Sequence, residues 1–310
     1  MSGHRDHTTI MYRLRKIGGR WQLLLMFSIP LVWYLIFAYL PMYGLQIAFR
    51  QFNPLLGISG SPWVGMHHYE RFFSSFYVWR VIGNTIAISV YSILFGFPAP
   101  IILALIVNEL RNRIFKKSLQ NITYIPHFLS MVVLCGMIYM FLHNQFGIIN
   151  HFLEFVGIGR RGFMESPRYF RSVFVISGIW QETGWASIIY IAALAGVDTE
   201  LYEAADIDGA SRLRKIWHIS LPGISATIVT LFILRLGAIM HVGFEKVLLL
   251  QNPLNMSTGD VIATLVFRTG ILQGNFSYAA AVGLMNSVIN LFTVVAANMF
   301  CRRVFKYSLW

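Results

Sequence analysis

The chain has 310 residues, 56% of them hydrophobic and only 12% charged, with 25 lysines and arginines against 13 acidic residues. A soluble domain holds about 25% charged residues, so the composition excludes an ordinary water-soluble fold and makes lipid part of the solvent. The formal net charge of +12 does not point to nucleic acid, because the basic residues fall in the gaps between apolar runs rather than in one stripe.

A bilayer core about 30 Å thick needs roughly 20 apolar residues as helix, since lipid offers no partner to free backbone groups. Six segments meet that standard: 21–43, 79–107, 123–143, 172–196, 223–244 and 277–300. The expected architecture is therefore all-α and polytopic. A cytoplasmic segment 1–20 precedes a six-span domain, 21–300, and a cytoplasmic tail, 301–310, follows it. The first run, Trp21 to Tyr43, exceeds a signal-peptide core and lacks a small-residue cleavage site, so it is expected to remain as an anchor. The second run carries Gly96, Pro98 and Pro100, which predict a kink or break. Two cysteines, Cys135 and Cys301, are too few for a disulfide framework or a zinc site and read as packing residues.

Orientation follows from the lysines and arginines. One side collects Arg5, Arg13, Arg15, Lys16, Arg20, Arg111, Arg113, Lys116, Lys117, Arg212, Arg214, Lys215, Arg302, Arg303 and Lys306. The other has only Arg50, Arg71, Arg80, Arg160, Arg161, Arg168, Arg171 and Arg268, while Arg235 and Lys246 lie within or at the end of the fifth run. The positive-inside rule then makes both termini cytoplasmic. The outward loops, 52–76, 144–171 and 251–275, are too short to be a substrate-binding domain, so capture of dilute cargo is expected to need another protein.

The inward loop Asp198 to Pro222 reads DTELYEAADIDGASRLRKIWHISLP. Asp198 or Thr199 can cap a short amphipathic helix whose acidic start suits the helix dipole. Gly209 permits a sharp bend, a basic helix follows, and Pro222 suits the first turn of the next span.

Glu203-Ala204-Ala205, three residues, Gly209, nine residues, and then Ile219-x-Leu221-Pro222 resembles the EAA loop of binding-protein-dependent ABC importers. The resemblance implies a type I permease fold in a bacterial cytoplasmic (inner) membrane. It also implies that Glu203, Ala204, Ala205, Asp208, Gly209, Leu221 and Pro222 couple the chain to an ATPase subunit. No GxxxxGK[ST] phosphate loop is present. The chain is accordingly expected to be no enzyme and to bind no cofactor or metal, with ATP and magnesium used by its partners. The implied partners are a second permease, two ATPase subunits and an extracytoplasmic solute-binding protein. YLPMYGLQIAFRQFN (39–53), SPWVGMHHYERFF (61–73) and GFEKVLLLQNP (243–253) look like the carbohydrate-uptake branch. More narrowly they are similar to permeases for complex or acidic oligosaccharides, including the first permease subunit of alginate importers. The alternatives are an ABC permease for peptide or another polar solute, and a stand-alone secondary transporter, which would normally carry coupling-ion carboxylates.

Charges within a span are costly and therefore informative. Glu182 and Arg235 both fall roughly 15–18 Å deep at 1.5 Å per residue. They are expected either to pair or to face a wet cavity and touch cargo. Trp180, Trp185 and Tyr190 can stack on sugar rings or simply pack. Asn286 and Asn290 share a helix face, for helix-to-helix hydrogen bonds or a polar lining. Gln181 and His241 complete the candidate substrate path.

Overall fold

The computed structural model describes residues 21–304; the expected segment 1–20 and positions 305–310 of the tail lie outside the described residues. Among the described residues the regular structure is helical, with two isolated β-bridges. The chain divides into two compact units, Met1–Met66 and His67–Trp310.

In the first unit, α1 (Trp21–Tyr34) continues through a π-helical turn (Leu35–Tyr39) and a 3-10 stretch (Leu40–Phe49). Pro30 lies inside α1 and Pro41 near the start of the 3-10 stretch. Local π and 3-10 adjustments re-satisfy backbone groups that proline frees in a lipid-facing helix. The following loop is tied by Arg50, whose Nη1 donates to the carbonyls of Ser59 (3.1 Å) and Ser61 (2.7 Å).

The second unit opens with α2 (His67–Ser74), α3 (Phe76–Gly96) and α4 (Pro98–Glu109). The last two form one 34-residue stretch, Phe76–Glu109. The expected kink shrinks to a single residue. Pro98 occupies the first position of α4, where a missing N–H costs little, and Phe97 N still donates to Ile93 O at 3.1 Å.

The third run departs further from expectation. Instead of one helix over 123–143, α5 (Arg113–Tyr124) and a 3-10 turn (Ile125–Phe128) meet α6 (Met131–Leu142) at 103°. Pro126 sits in the turn, and Ser130 starts α6 by accepting from Val133 N at 3.3 Å. After α7 (Ile148–Phe155) comes α8 (Pro167–Ala195), 29 residues or about 43 Å long. It packs against α3, α4 and α5. Gly184 allows a close approach to α5, since a Cβ there would overlap the Thr123 carbonyl.

The chain continues through α9 (Thr199–Ile207), α10 (Arg212–Lys215), α11 (Ser225–Gly237), α12 (Phe244–Leu250), α13 (Ile262–Phe267) and α14 (Phe276–Val304). The first four residues of the expected tail thus belong to α14. Three stretches, Trp21–Phe49, Phe76–Glu109 and Phe276–Val304, are long and apolar enough to cross a membrane singly. Two bent pairs, Arg113–Phe128 with Met131–Leu142 and Arg212–Gly223 with Ser225–Gly237, qualify if each is one span. Cys135 and Cys301 are free thiols buried in packing clusters, as their apolar surroundings imply.

Candidate functional site: a cavity beside a broken helix and an exposed loop

The fifth run was expected as one helix over 223–244. Instead, α11 ends at Gly237 and residues 238–243 leave the helix before α12 begins at Phe244. Irregular backbone away from water survives only when its polar groups find protein partners or line a wet space. Both occur here. Ser89 Oγ of α3 donates to the Ile239 carbonyl, and Met240 N donates to Asn290 Oδ1 of α14 at 3.1 Å. The rest of the break faces a cavity of about 340 Å³ whose wall includes Gln181, Glu182, Arg235, His241 and Lys246.

Glu182 and Arg235 therefore share one cavity, the second of the two expected arrangements, and do not pair directly. Glu182 Oε2 lies 3.3 Å from His127 Nδ1, at the bend before α6. Among the described residues no ion pair joins Arg235 to a carboxylate. The His127 ring also stacks on Trp185, with centroids 4.6 Å apart and planes within 1°, while Phe128 meets the same indole edge-on. The bend thus packs its rings on Trp185 and sets His127 beside Glu182.

Lys246 is the residue that sequence reasoning missed as a site candidate. Only 5% exposed, it lines the cavity, donates to the Phe174 carbonyl at 3.0 Å and holds its ammonium 4.9 Å from the centre of the Phe174 ring. A buried ammonium needs such compensation, because removing an ion from water costs far more than burying a neutral amide. Neither contact carries a formal negative charge. The signal in the sequence was a lysine at the start of the apolar run Val247–Leu250.

The remaining candidates separate. Gln181 and His241 line the cavity. Asn290 serves the broken helix end, and neither it nor Asn286 reaches the cavity wall. Tyr190 is 3% exposed in a packing cluster, so its ring is not available for stacking on cargo. Trp180 lines a separate apolar groove.

The loop 198–222 folds as its residue types dictate. Asp198 caps α9 by accepting from Glu200 N at 3.0 Å. Gly209 ends it at φ +69°, a conformation that favours glycine, and Ala210 N returns to Ala205 O at 2.9 Å. Ser211 caps α10, and Lys215 Nζ bridges back to Asp206 Oδ1 at 2.7 Å. Tyr202 and Ser220 hydroxyls, 2.9 Å apart, tie α9 to the segment entering α11. Glu203, Ala204, Asp208, Gly209 and Pro222 are exposed, while Ala205 and Leu221 are half-buried. Ile207 (88% exposed), Leu213 and Trp217 add bare apolar surface that the motif did not single out.

Residues 96–306 match the family described as binding-protein-dependent transport system inner membrane component. Among curated proteins, the chain is 42% identical to Protein LplB of Bacillus subtilis over 94% of this chain and 91% of that one. It is 41% identical to the polygalacturonan/rhamnogalacturonan transport system permease protein YteP of the same organism, over 88% and 85%. Among solved structures it is similar to a bacterial ABC transporter involved in the import of the acidic polysaccharide alginate, with TM-score 0.88 and 40% identity over 94% of this chain and 99% of that one. A second structure of a bacterial alginate ABC transporter is in complex with an alginate pentasaccharide-bound periplasmic protein. It matches at TM-score 0.88 and 39% identity, over 95% and 99%.

Proposed function

We propose that this chain, which belongs to the binding-protein-dependent transport system inner membrane component family, forms with a second, related permease the path of an acidic oligosaccharide. It is a permease subunit of a carbohydrate-importing ABC transporter. In our reading residues 21–300 make six spans with both termini cytoplasmic. Long α8 is the span whose Arg168, Arg171 and Glu182 dilute its apolar character. The membrane is the bacterial inner membrane, and a loaded solute-binding protein docks on the outer loops. Two ATPase subunits hydrolyse ATP with magnesium. Their closure acts on α9 and α10 through Glu203, Ala204, Ala205, Asp208 and Gly209, with Ile207 and Leu213 as apolar contacts, and Leu221 and Pro222 pass the movement to α11. The chain itself makes no covalent bond.

The acidic cargo rests above all on one observation: Lys246 and Arg235 line the cavity, neither in a carboxylate ion pair, so two cations face the single carboxylate of Glu182. A carboxylated sugar supplies the missing counter-charge. Gln181 and His241 can bond hydroxyls, whereas Trp185, stacked on His127, stands outside the cavity wall. The polygalacturonan/rhamnogalacturonan and alginate assignments of the relatives agree with that chemistry.

The test is ATP-driven uptake by the complete importer in proteoliposomes, comparing uronate and neutral oligosaccharides of equal length. Lys246→Met combined with Arg235→Gln should lower uronate uptake about 10- to 100-fold, the worth of a charged hydrogen bond, and neutral uptake far less. Equal loss for both sugars overturns the acidic cargo and leaves the permease assignment standing.

A further inference from the structure

A second cavity, about 470 Å³, shares no lining residue with the first. Its wall is apolar: Ile138, Phe141, Ile149, Tyr169, Ile176 and Trp180, from α6, α7 and α8, take part. Two cations stand at Tyr169. Arg161 Nη1 donates to its hydroxyl at 2.9 Å, and the Arg168 guanidinium lies 6.0 Å from the centre of its ring.

This arrangement is built rather than incidental. Asn150, 0% exposed, donates to the carbonyls of Leu142, His143 and Arg161 and accepts from Arg161 N at 2.8 Å. One buried side chain thus fixes the backbone from which Arg161 projects. Neighbouring Arg160 is neutralised by Glu154 at 2.9 Å, whereas among the described residues neither Arg161 nor Arg168 forms an ion pair. The remaining acidic residue of this loop, Glu165, directs its carboxylate at Gly162. The N-terminus of α8 begins beside Arg168, and Ser166 gives it no side-chain cap. The dipole of this 29-residue helix adds positive potential at that end.

We propose that this groove holds an acyl chain of an anionic phospholipid, with the phosphate on Arg161 and Arg168. An apolar slot crowned by two unpaired guanidiniums matches that amphiphile, since guanidinium binds phosphate oxygens in a bidentate fork. In the topology proposed above, with 144–171 facing outward, the lipid belongs to the outer leaflet.

The experiment places the assembled importer in vesicles of phosphatidylcholine doped with either phosphatidylglycerol or more phosphatidylcholine carrying brominated acyl chains. Trp180 quenching is isolated by difference from Trp180→Phe. Brominated phosphatidylglycerol should quench at a lower mole fraction, by about fivefold for each arginine. Arg161→Gln with Arg168→Gln should erase the headgroup preference while leaving quenching at high mole fraction. Arg160→Gln, whose charge is already paired, should preserve the preference. Equal quenching by both headgroups in the unmodified protein overturns the proposal, as does an Arg160→Gln effect as large as that of the pair. Absence of quenching at any mole fraction also overturns it and shows the groove covered by protein, such as the second permease.

Discussion

Residues 198–222 hold their shape through partners close in sequence, whereas the cavity around Glu182 and Lys246 is held by partners far apart. In the loop, Asp198 caps two residues on, Ser211 three on, and Lys215 reaches back nine residues to Asp206. Around the cavity, Ser89 bonds Ile239 across 150 residues, Lys246 bonds Phe174 across 72, and Asn290 bonds Met240 across 50. The loop is consequently a local module that can present an exposed face to another protein and move as a piece. The cavity exists only when several helices are in register, so its chemistry is sensitive to packing at a distance.

The largest effect that separates the two regions is expected in the loop. Gly209→Pro forces φ near −65° where the chain holds +69°, and Glu203→Lys reverses an exposed charge beside it. Each should reduce ATP-driven uptake of every cargo to background while the permease still inserts in the membrane. Normal uptake in both variants would remove the loop as the coupling element.

A smaller effect is expected where α5 meets α8. Gly184→Ala puts a methyl group against the Thr123 carbonyl, which must part the two helices and should cost about 1–3 kcal/mol, as overpacking does. Thermal unfolding of the purified importer in detergent measures it as a lowered Tm. His127 and Phe128 lie on the turn directly after α5, so the same variant should weaken oligosaccharide uptake and leave basal ATP hydrolysis intact. An unchanged Tm with unchanged uptake would show that remote packing does not govern the cavity.

The smallest effect is expected for Lys215→Ala. Its Asp206 partner is 64% exposed, and such pairs are worth about 0–1 kcal/mol. The caps at Asp198 and Ser211 and the Gly209 turn remain, so uptake should stay near that of the unmodified protein. A loss as deep as that of Gly209→Pro would mean that the loop depends on this one pair rather than on its many local bonds.

The sequence by itself determined whatever depends on neighbours along the chain. The apolar runs 21–43, 79–107 and 277–300 located helices that the structure extends to 21–49, 76–109 and 276–304, because a helix buried in lipid must satisfy its own backbone over some 20 residues. Caps, the Gly209 turn and the EAA pattern were equally legible, since each needs particular residue types at short fixed spacings. Only the tertiary structure decided that the third run bends by 103°, that the fifth breaks after Gly237, that Glu182 meets His127 instead of Arg235, and that Lys246 enters the cavity. Depth along a helix can be counted at 1.5 Å per residue, which put Glu182 and Arg235 at one level. Which way each side chain points around its axis, and which distant donor rescues a broken carbonyl, depends on how the helices are rotated and packed against one another, and no run of apolar residues records that.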